Sequence, residues 1–415
     1  MKKIAILSTM YYPDMGAPSS VMDRYVQFLH NKYKFYIITK TYKNKEEFEP
    51  RNDVFYISGL RHRVTLWCEK NIRQKKQSKI LYTIILRAID VYKLIATQFC
   101  HPNANSWENK AYFSELEKLH IKENLDVVVS VSNTCSTQFA ANRFKKKYKD
   151  VRWVQFVTDP FSEFYVYYRY KIFPSLWKKI NFNDEKEFYK NCDAAFLTPE
   201  LLPAIVLKFP DFAHKCHEMQ FTLTDLSEIN KNQINHSNSI RLIYAGTVYK
   251  DIRNPEFMMR TIAAISDVKL DMFTNFGANH GECDEILLRN SSDNISIFDF
   301  VSKDRYNDMI CNEYEILVNI GNISNLQSPS KTLDLLSTGR PILNFYFVED
   351  CQFEMIKKYP LGLNICCGDS NAVKKVELFC HQMKGKKLNF EDVKSIYPEN
   401  VLEHQVDIFE RLING

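Results

Sequence analysis

Three strand-to-helix junctions hold the residues of this chain best suited to a charged, hydroxylated ligand. In Leu242–Ile262, LIYAGTVYKDIRNPEFMMRTI, a strand ends at Ala245-Gly246, Lys250 and Arg253 follow, and Pro255 opens a helix. Two cations just past a strand end, ahead of a helix N-terminus, suit a diphosphate; the competing reading is a solvated basic turn. Asn319–Leu343, NIGNISNLQSPSKTLDLLSTGRPIL, compresses strand, loop, helix and strand into one short segment. Ser328 and Ser330 supply hydroxyls at the helix start, Lys331 a positive charge and Asp334 a carboxylate one turn in. A carboxylate there can accept two ribose hydroxyls beside a phosphate at the helix start, or simply favour the helix N-terminus. In Thr9–Ser20, TMYYPDMGAPSS, the loop carries Gly16, and Ser19-Ser20 offers caps for a helix over Val21–His30, whose first N–H groups favour an anion.

Glycine is scarce, 11 in 415 residues, against a usual share of about 7%. Gly16, Gly246, Gly277 and Gly321 each follow an expected strand within a few residues. A backbone that must approach a phosphate there needs a residue without a Cβ, although tight turns alone also use glycine.

The elements needed to position these junctions alternate along the chain. Short apolar runs predict strands at Ile4–Thr9, Phe35–Thr39, Val54–Ser58, Asp126–Ser130, Trp153–Val157 and Ala194–Leu197, with helices between them, among them Thr134–Lys147 and Pro174–Lys190. The polar section Leu226–Asn238 reads as a linker. Alternation then restarts, with strands at Ile240–Ala245, Lys269–Phe273, Ile295–Phe298, Ile316–Asn319, Pro341–Phe345 and Leu363–Cys366, and a last helix at Val401–Ile413. Two such arrays predict an α/β protein of two doubly wound, Rossmann-like domains facing a cleft.

Composition narrows the class. The chain is 45% hydrophobic and 25% charged with a net charge of +5, ordinary for a globular protein and too small an excess to indicate nucleic acid. No apolar run reaches the length of a membrane span, and the start reads as a strand rather than a signal peptide. Eleven cysteines without C-x-x-C spacing predict free thiols in a reducing cytoplasm. No P-loop, G-x-G-x-x-G, H-E-x-x-H, G-x-S-x-G or D-x-D pattern occurs, so no metal site is expected. One stretch stands apart. Arg61–Gln98 carries nine Lys and Arg against Glu69 and Asp90, interleaved with Trp67, Ile80, Ile84 and Tyr92. It reads either as a helical hairpin on the first domain or as a patch for an anionic membrane surface.

The third junction resembles the donor-site signature P-S-K-L-x-E-Y-L-A-x-G-K-P-[IV] of family 4-type glycosyltransferases with the GT-B fold, through Pro329, Ser330, Lys331, Leu333, Asp334, Leu336, Gly339, Arg340 and Pro341. The Leu242–Ile262 junction is similar to that family's Y-x-G-x(n)-[RK] element through Gly246 and Arg253. The N-terminal loop is similar to Y-P-P-D-x-G-[GA] through Tyr12, Pro13, Asp14, Gly16 and Ala17. Order and spacing fit over nearly the whole chain.

Two positions depart: Leu326 stands where the family's first acid is expected, and Thr247 where an arginine often follows the glycine. Arg253, with Lys250 in support, therefore carries the expected diphosphate contacts. Asp159, in FVTDPFSE, resembles a D-P-W variant and is expected to face the cleft, orienting the acceptor hydroxyl or acting as base; the plain alternative is a turn before proline.

The resemblance implies transfer of a sugar from a nucleotide diphosphate sugar to a carbohydrate or lipid-linked oligosaccharide acceptor, with retention and without a metal. The nucleotide sugar is a substrate, and no cofactor is expected. The two arrays and the linker between them place domains over 1–225 and 226–398, and the resemblance implies that 399–415 crosses back to the first. The expected setting is the cytoplasm or the inner face of the membrane. A sugar-nucleotide epimerase and a non-catalytic sugar-nucleotide-binding or assembly subunit remain open beside it.

Overall fold

The run Ile4–Leu7 is fully buried, and a β-strand without a polar face is stable only where both faces of its sheet are covered. In the computed structural model of the 415-residue chain, that requirement is met by a parallel sheet flanked by helices. The structure describes all residues except 14, 42, 44–46, 75–78, 104, 133–134, 160, 164–166, 169–170, 230–238, 277–282 and 324–330. The chain divides into two compact units, Met1–Gln220 with Gln405–Gly415, and Phe221–His404.

The first unit is built on a seven-stranded sheet of β1 (Lys3–Ser8), β2 (Lys34–Lys40), β3 (Val54–Ile57), β4 (Val127–Val131), β5 (Arg152–Val157), β6 (Ala194–Leu197) and β7 (Cys216–Glu218), in the order β3-β2-β1-β4-β5-β6-β7. All its pairings are parallel, with Ile4 opposite Phe35 on one side and Val127 on the other. Its helices are α1 (Ala17–Leu29), α2 (Leu60–Arg73), α3 (Lys79–Phe99), α4 (Trp107–Glu123), α5 (Ser136–Lys147), α6 (Pro174–Asn191) and α7 (Leu201–Lys208). Leu7, Ile38, Val128, Trp153 and Phe188 belong to its core.

The second unit repeats the plan with a six-stranded sheet of β8 (Ile240–Ala245), β9 (Val268–Phe273), β10 (Ile295–Phe298), β11 (Ile316–Ile320), β12 (Ile342–Tyr346) and β13 (Gly362–Cys366), in the order β10-β9-β8-β11-β12-β13. It carries α8 (Glu256–Ala263), α9 (Asp284–Arg289), α10 (Lys303–Asn312), α11 (Lys331–Ser337), α12 (Cys351–Lys358), α13 (Ala372–Met383) and α14 (Phe390–Ile396). The last helix, α15 (Leu402–Asn414), belongs from Gln405 onward to the first unit, where Phe409 packs on Tyr25 with ring centroids 5.4 Å apart.

In each sheet the strand order reverses beside the first strand, β1 or β8. The carboxyl ends there are where open α/β sheets bind ligands. Gly16 follows β1, Gly246 follows β8 and Gly321 follows β11.

Two local expectations fail. Helix α1 begins at Ala17, not Val21, because Pro18 fits the first helical turn, where no N–H partner is needed. Ser19 is therefore inside the helix, its hydroxyl 2.8 Å from that of Ser8, and caps nothing. The short edge strand β7 also went unforeseen, since three residues carry no readable period. Residues 230–238 of the expected linker lie outside the described residues. All eleven cysteines are free, and among the described residues no helix is long and apolar enough to cross a membrane.

Candidate functional site

The site is assembled at the carboxyl edge of the second sheet. Gly246 still donates its N–H to Phe273 O at 2.9 Å, extending the β8–β9 ladder by one bond. The chain then folds back on itself. Tyr249 and Arg253 form an antiparallel bridge with N···O distances of 2.9 and 3.1 Å, and buried Val248 is pinned by its N–H to Asn275 Oδ1 at 2.9 Å. This tight return brings Arg253 back toward the strand ends. Its Nε and Nη2 both donate to Asn322 Oδ1, at 3.1 and 2.8 Å. Asn322 is buried two residues after β11 and so couples the two junctions.

Lys331, the first residue of α11, comes in from the other side. Its Nζ is buried and finds no hydrogen-bond partner among the described residues. It lies 4.5 Å from the centroid of the Tyr244 ring. A Cβ placed on Gly246 would stand 2.8 Å from that Nζ and 3.3 Å from the Tyr244 hydroxyl. Burial lowers the ammonium from its ordinary range to about 7, the Arg253 charge adds to the effect, and Asp334 opposes it. A desolvated ammonium beside a guanidinium is unfavourable unless an anion joins them. The arrangement has the chemistry of an anion site that takes more than one negative charge.

A buried amide network fixes Lys331 from behind. Thr332 Oγ1 donates to Gln352 Oε1 at 2.8 Å, and Asn319 Nδ2 reaches the same oxygen at 2.9 Å and Asn344 Oδ1 at 2.9 Å. Gln352 Nε2 in turn donates to Asp350 Oδ2 at 3.0 Å. With its members buried and bonded to one another, the network holds the start of α11 against β11 and β12.

Asp334 lies one turn further along α11, half-buried, and Oδ1 accepts from Thr224 Oγ1 at 3.0 Å. The Tyr306 hydroxyl of α10 is buried and without a partner among the described residues. Burial, then the Asp334 charge, push it well above the ordinary phenol range. Gly339 and Arg340, in the same motif as Lys331, have another task. Gly339 has φ +74°, and a Cβ there would meet Leu388 O at 2.0 Å. Buried Arg340 donates Nε to Cys311 O at 3.0 Å. This part of the motif shapes the turn before β12.

Gly246, Arg253, Lys331 and Asp334 thus gather in one neighbourhood. Lys250 is exposed and lines a cavity of about 430 Å³ with Asn254, Phe257, Arg260, Ile323 and Gly368, whose wall includes neither Arg253 nor Lys331. Ser328 and Ser330, with Leu326, lie outside the described residues, as do Asp14 and Gly277. Gly16 belongs to the first unit, at the N-cap of α1 with φ −83° and ψ 167°, a conformation open to any residue. Asp159 follows β5 in the first unit and accepts from Thr158 Oγ1 at 2.9 Å; burial raises its carboxyl and the Thr158 bond opposes. Sequence reasoning did not single out Asn322, Tyr244 or Tyr306. Asn322 had a signal, standing directly after Gly321; Tyr306 had none.

No protein-family model and no curated protein matches the sequence. Solved structures do match in fold. Sucrose-phosphate synthase from Thermosynechococcus elongatus superposes with a TM-score of 0.65 at 9% identity, over 100% of this chain and 98% of that one. The lipopolysaccharide outer core galactosyltransferase WaaB gives 0.58 at 11% identity, over 99% of each chain. UDP-GlcNAc 2-epimerase from Methanocaldococcus jannaschii gives 0.57 at 14% identity, over 100% of each. At these identities the likeness is one of architecture: the chain has the GT-B fold, two Rossmann-like, doubly wound α/β domains in one polypeptide.

Proposed function

We propose that this chain transfers a sugar from a nucleoside diphosphate sugar to a carbohydrate acceptor. The observation that carries this reading is the desolvated Lys331 ammonium, unpartnered among the described residues and held beside Arg253 where Gly246 leaves no side chain in the way. Negative charge develops on the departing diphosphate during sugar transfer, and preorganised cations in a dry site stabilise it most where it develops. Arg253 and Lys331 take that task, with Lys250, Ser328, Ser330 and the N–H groups following Gly16 assigned to the donor as well. Asp334 accepts the ribose hydroxyls. Asp159 is assigned to the acceptor hydroxyl, because a carboxyl raised by burial is a better proton acceptor near neutral pH than an ordinary one. Glycosyltransferases among the structural neighbours support the reaction class. The motif resemblance supports a family 4-type enzyme, retaining and metal-independent, acting in cytoplasmic assembly of surface polysaccharide on a carbohydrate or lipid-linked acceptor.

Epimerase neighbours of similar TM-score favour a second reading, a sugar-nucleotide epimerase using the same anion site. Radiolabelled UDP- and GDP-sugars separate the two. Release of nucleoside diphosphate that requires an added carbohydrate acceptor supports transfer. An isomerised sugar nucleotide formed without acceptor establishes the epimerase. Tight binding of sugar nucleotides with neither product would leave a binding subunit.

A further inference from the structure

Helix α3 is 21 residues long and buries only Ala96. One of its faces packs on α2, where the Trp67 and Tyr82 rings meet edge-to-face at 5.0 Å. A different face is apolar and uncovered. Ile80, Ile84, Val91, Ile95 and Phe99 are all more than half exposed, Ile80 and Phe99 to 78%. At 100° per residue these five fall within an arc of about 100°, the width of an ordinary buried stripe. The stripe runs along a helix of roughly 30 Å.

The patch does not end with the helix. Ile172 donates its N–H to Gln98 Oε1 at 2.9 Å, and Lys171 Nζ donates to Cys100 O at 2.9 Å. These bonds place the start of α6 beside the end of α3, and there Ile172, Phe173 and Leu176 are exposed to 68%, 66% and 55%. Two elements far apart in sequence therefore present one apolar surface, larger than the scattered single residues of an ordinary exterior.

Its charge indicates what covers it. Helices α2 and α3 together carry seven Lys and Arg against two acids. That excess of five equals the net charge of the entire chain. Lys178 and Lys179 are exposed on α6 beside Leu176. Half-exposed Tyr92, at the edge of the stripe, adds an amphipathic ring of the kind that settles at a bilayer interface. A second copy of such a surface would be repelled by its own charge, whereas an anionic bilayer is attracted to it.

We propose that the apolar face of α3, continued by Ile172, Phe173 and Leu176, lies in the headgroup layer of an anionic membrane, drawn there by the positive excess of α2 and α3, with Arg87 at the edge of the stripe and the exposed lysines of α6 nearest the lipid phosphates. The helix rests in the plane of the interface and does not cross it.

Co-sedimentation of the 415-residue chain with phosphatidylglycerol-containing and pure phosphatidylcholine vesicles tests this. Binding is expected to the anionic vesicles, roughly tenfold above the neutral ones, and to be lost near 1 M salt, where the Debye length falls to about 3 Å. The Ile84→Ser/Val91→Ser double variant and, separately, Phe173→Ser are expected to lower it several-fold, as is the charge reversal Lys79→Glu/Arg87→Glu. Leu207→Ser, at an exposed leucine elsewhere on the first unit, is expected to bind as wild type. Circular dichroism checks that each variant is folded, and the charge-reversal pair keeps the test intact if an apolar one is not. Equal recovery with both vesicle types would overturn the proposal. So would wild-type binding by folded variants, or a dimer in light scattering that Ile84→Ser/Val91→Ser converts to monomer, since the face would then belong to a second copy.

Discussion

The Lys331 ammonium lies 2.8 Å from the point where a side chain on Gly246 would begin. One residue directly follows β8 and the other begins α11, and the absence of a Cβ on the first is what lets the second tuck under the Tyr244 ring. Gly246→Ala should therefore act on the site rather than on the fold. The nearest group is the far end of a flexible side chain, so the melting temperature should hardly move. Affinity for UDP or GDP should fall about tenfold or more, equivalent to roughly 1.4 kcal/mol. A large loss of stability with unchanged affinity in the surviving folded protein would show the glycine to be a folding requirement only.

Lys331 also makes stability depend on pH in a definite direction. Its ammonium titrates near 7 in the folded chain and near 10.4 when unfolded. Between those values the unfolded chain binds more protons, so this group makes stability rise with pH across that window; below about pH 7 its penalty is fully present. Lys331→Met should abolish that slope and stabilise the ligand-free protein at pH 6 by about 1–4 kcal/mol, the range seen when apolar residues replace buried charges. Thermal melts at pH 6 and pH 9 check it: the gain should be larger at pH 6. A variant less stable than wild type at both would mean the ammonium is paired.

Asn322 is a positioning residue, because it acts through Arg253. Asn322→Ala should lower diphosphate affinity modestly by releasing the guanidinium. Asn322→Asp should lower it further, since a carboxylate there would neutralise the charge the ligand needs. Calorimetric titration with UDP and GDP ranks the two. If Asn322→Asp binds as tightly as wild type, the guanidinium is not part of the anion site.

Asp334 is assigned to ribose and not to phosphate. Asp334→Asn should weaken a ribonucleoside diphosphate by about 1.5–3 kcal/mol, the range for hydrogen bonds to charged groups and more than tenfold in affinity, and leave inorganic pyrophosphate unaffected. An equal loss for both ligands would mean that Asp334, through Thr224 Oγ1, chiefly fixes the position of α11.

Much of the scaffold was legible because its physics is local. Ile240–Ala245 and Ala194–Leu197 match the expected strands residue for residue, since short buried apolar runs between turn signals have few other uses. Gly246 and Arg253 stood out because they follow such a run, and Lys331 because it stands at the expected helix start of the next junction. What made Lys331 informative was not legible: its burial, and its lack of a partner among the described residues, arise only when α11 docks beside β8. Tyr306 reaches the same neighbourhood from α10 with no local spacing to announce it. Ser19-Ser20 misled for the opposite reason, since a cap-like pair was heeded before Pro18. Ile172 and Phe173 lie outside any periodic element, so only the fold brings them to the end of α3.

Proton uptake on ligand binding tests the central claim most directly. With its ammonium lowered to about 7, Lys331 is mostly neutral at pH 8 before a ligand is added, and a diphosphate beside it should raise its affinity for a proton. UDP or GDP binding, followed by calorimetry in two buffers of different ionisation enthalpy, should take up close to one proton in the wild type and none in Lys331→Met. Binding with no proton uptake, or with the same uptake in both proteins, would contradict a diphosphate site built on Lys331.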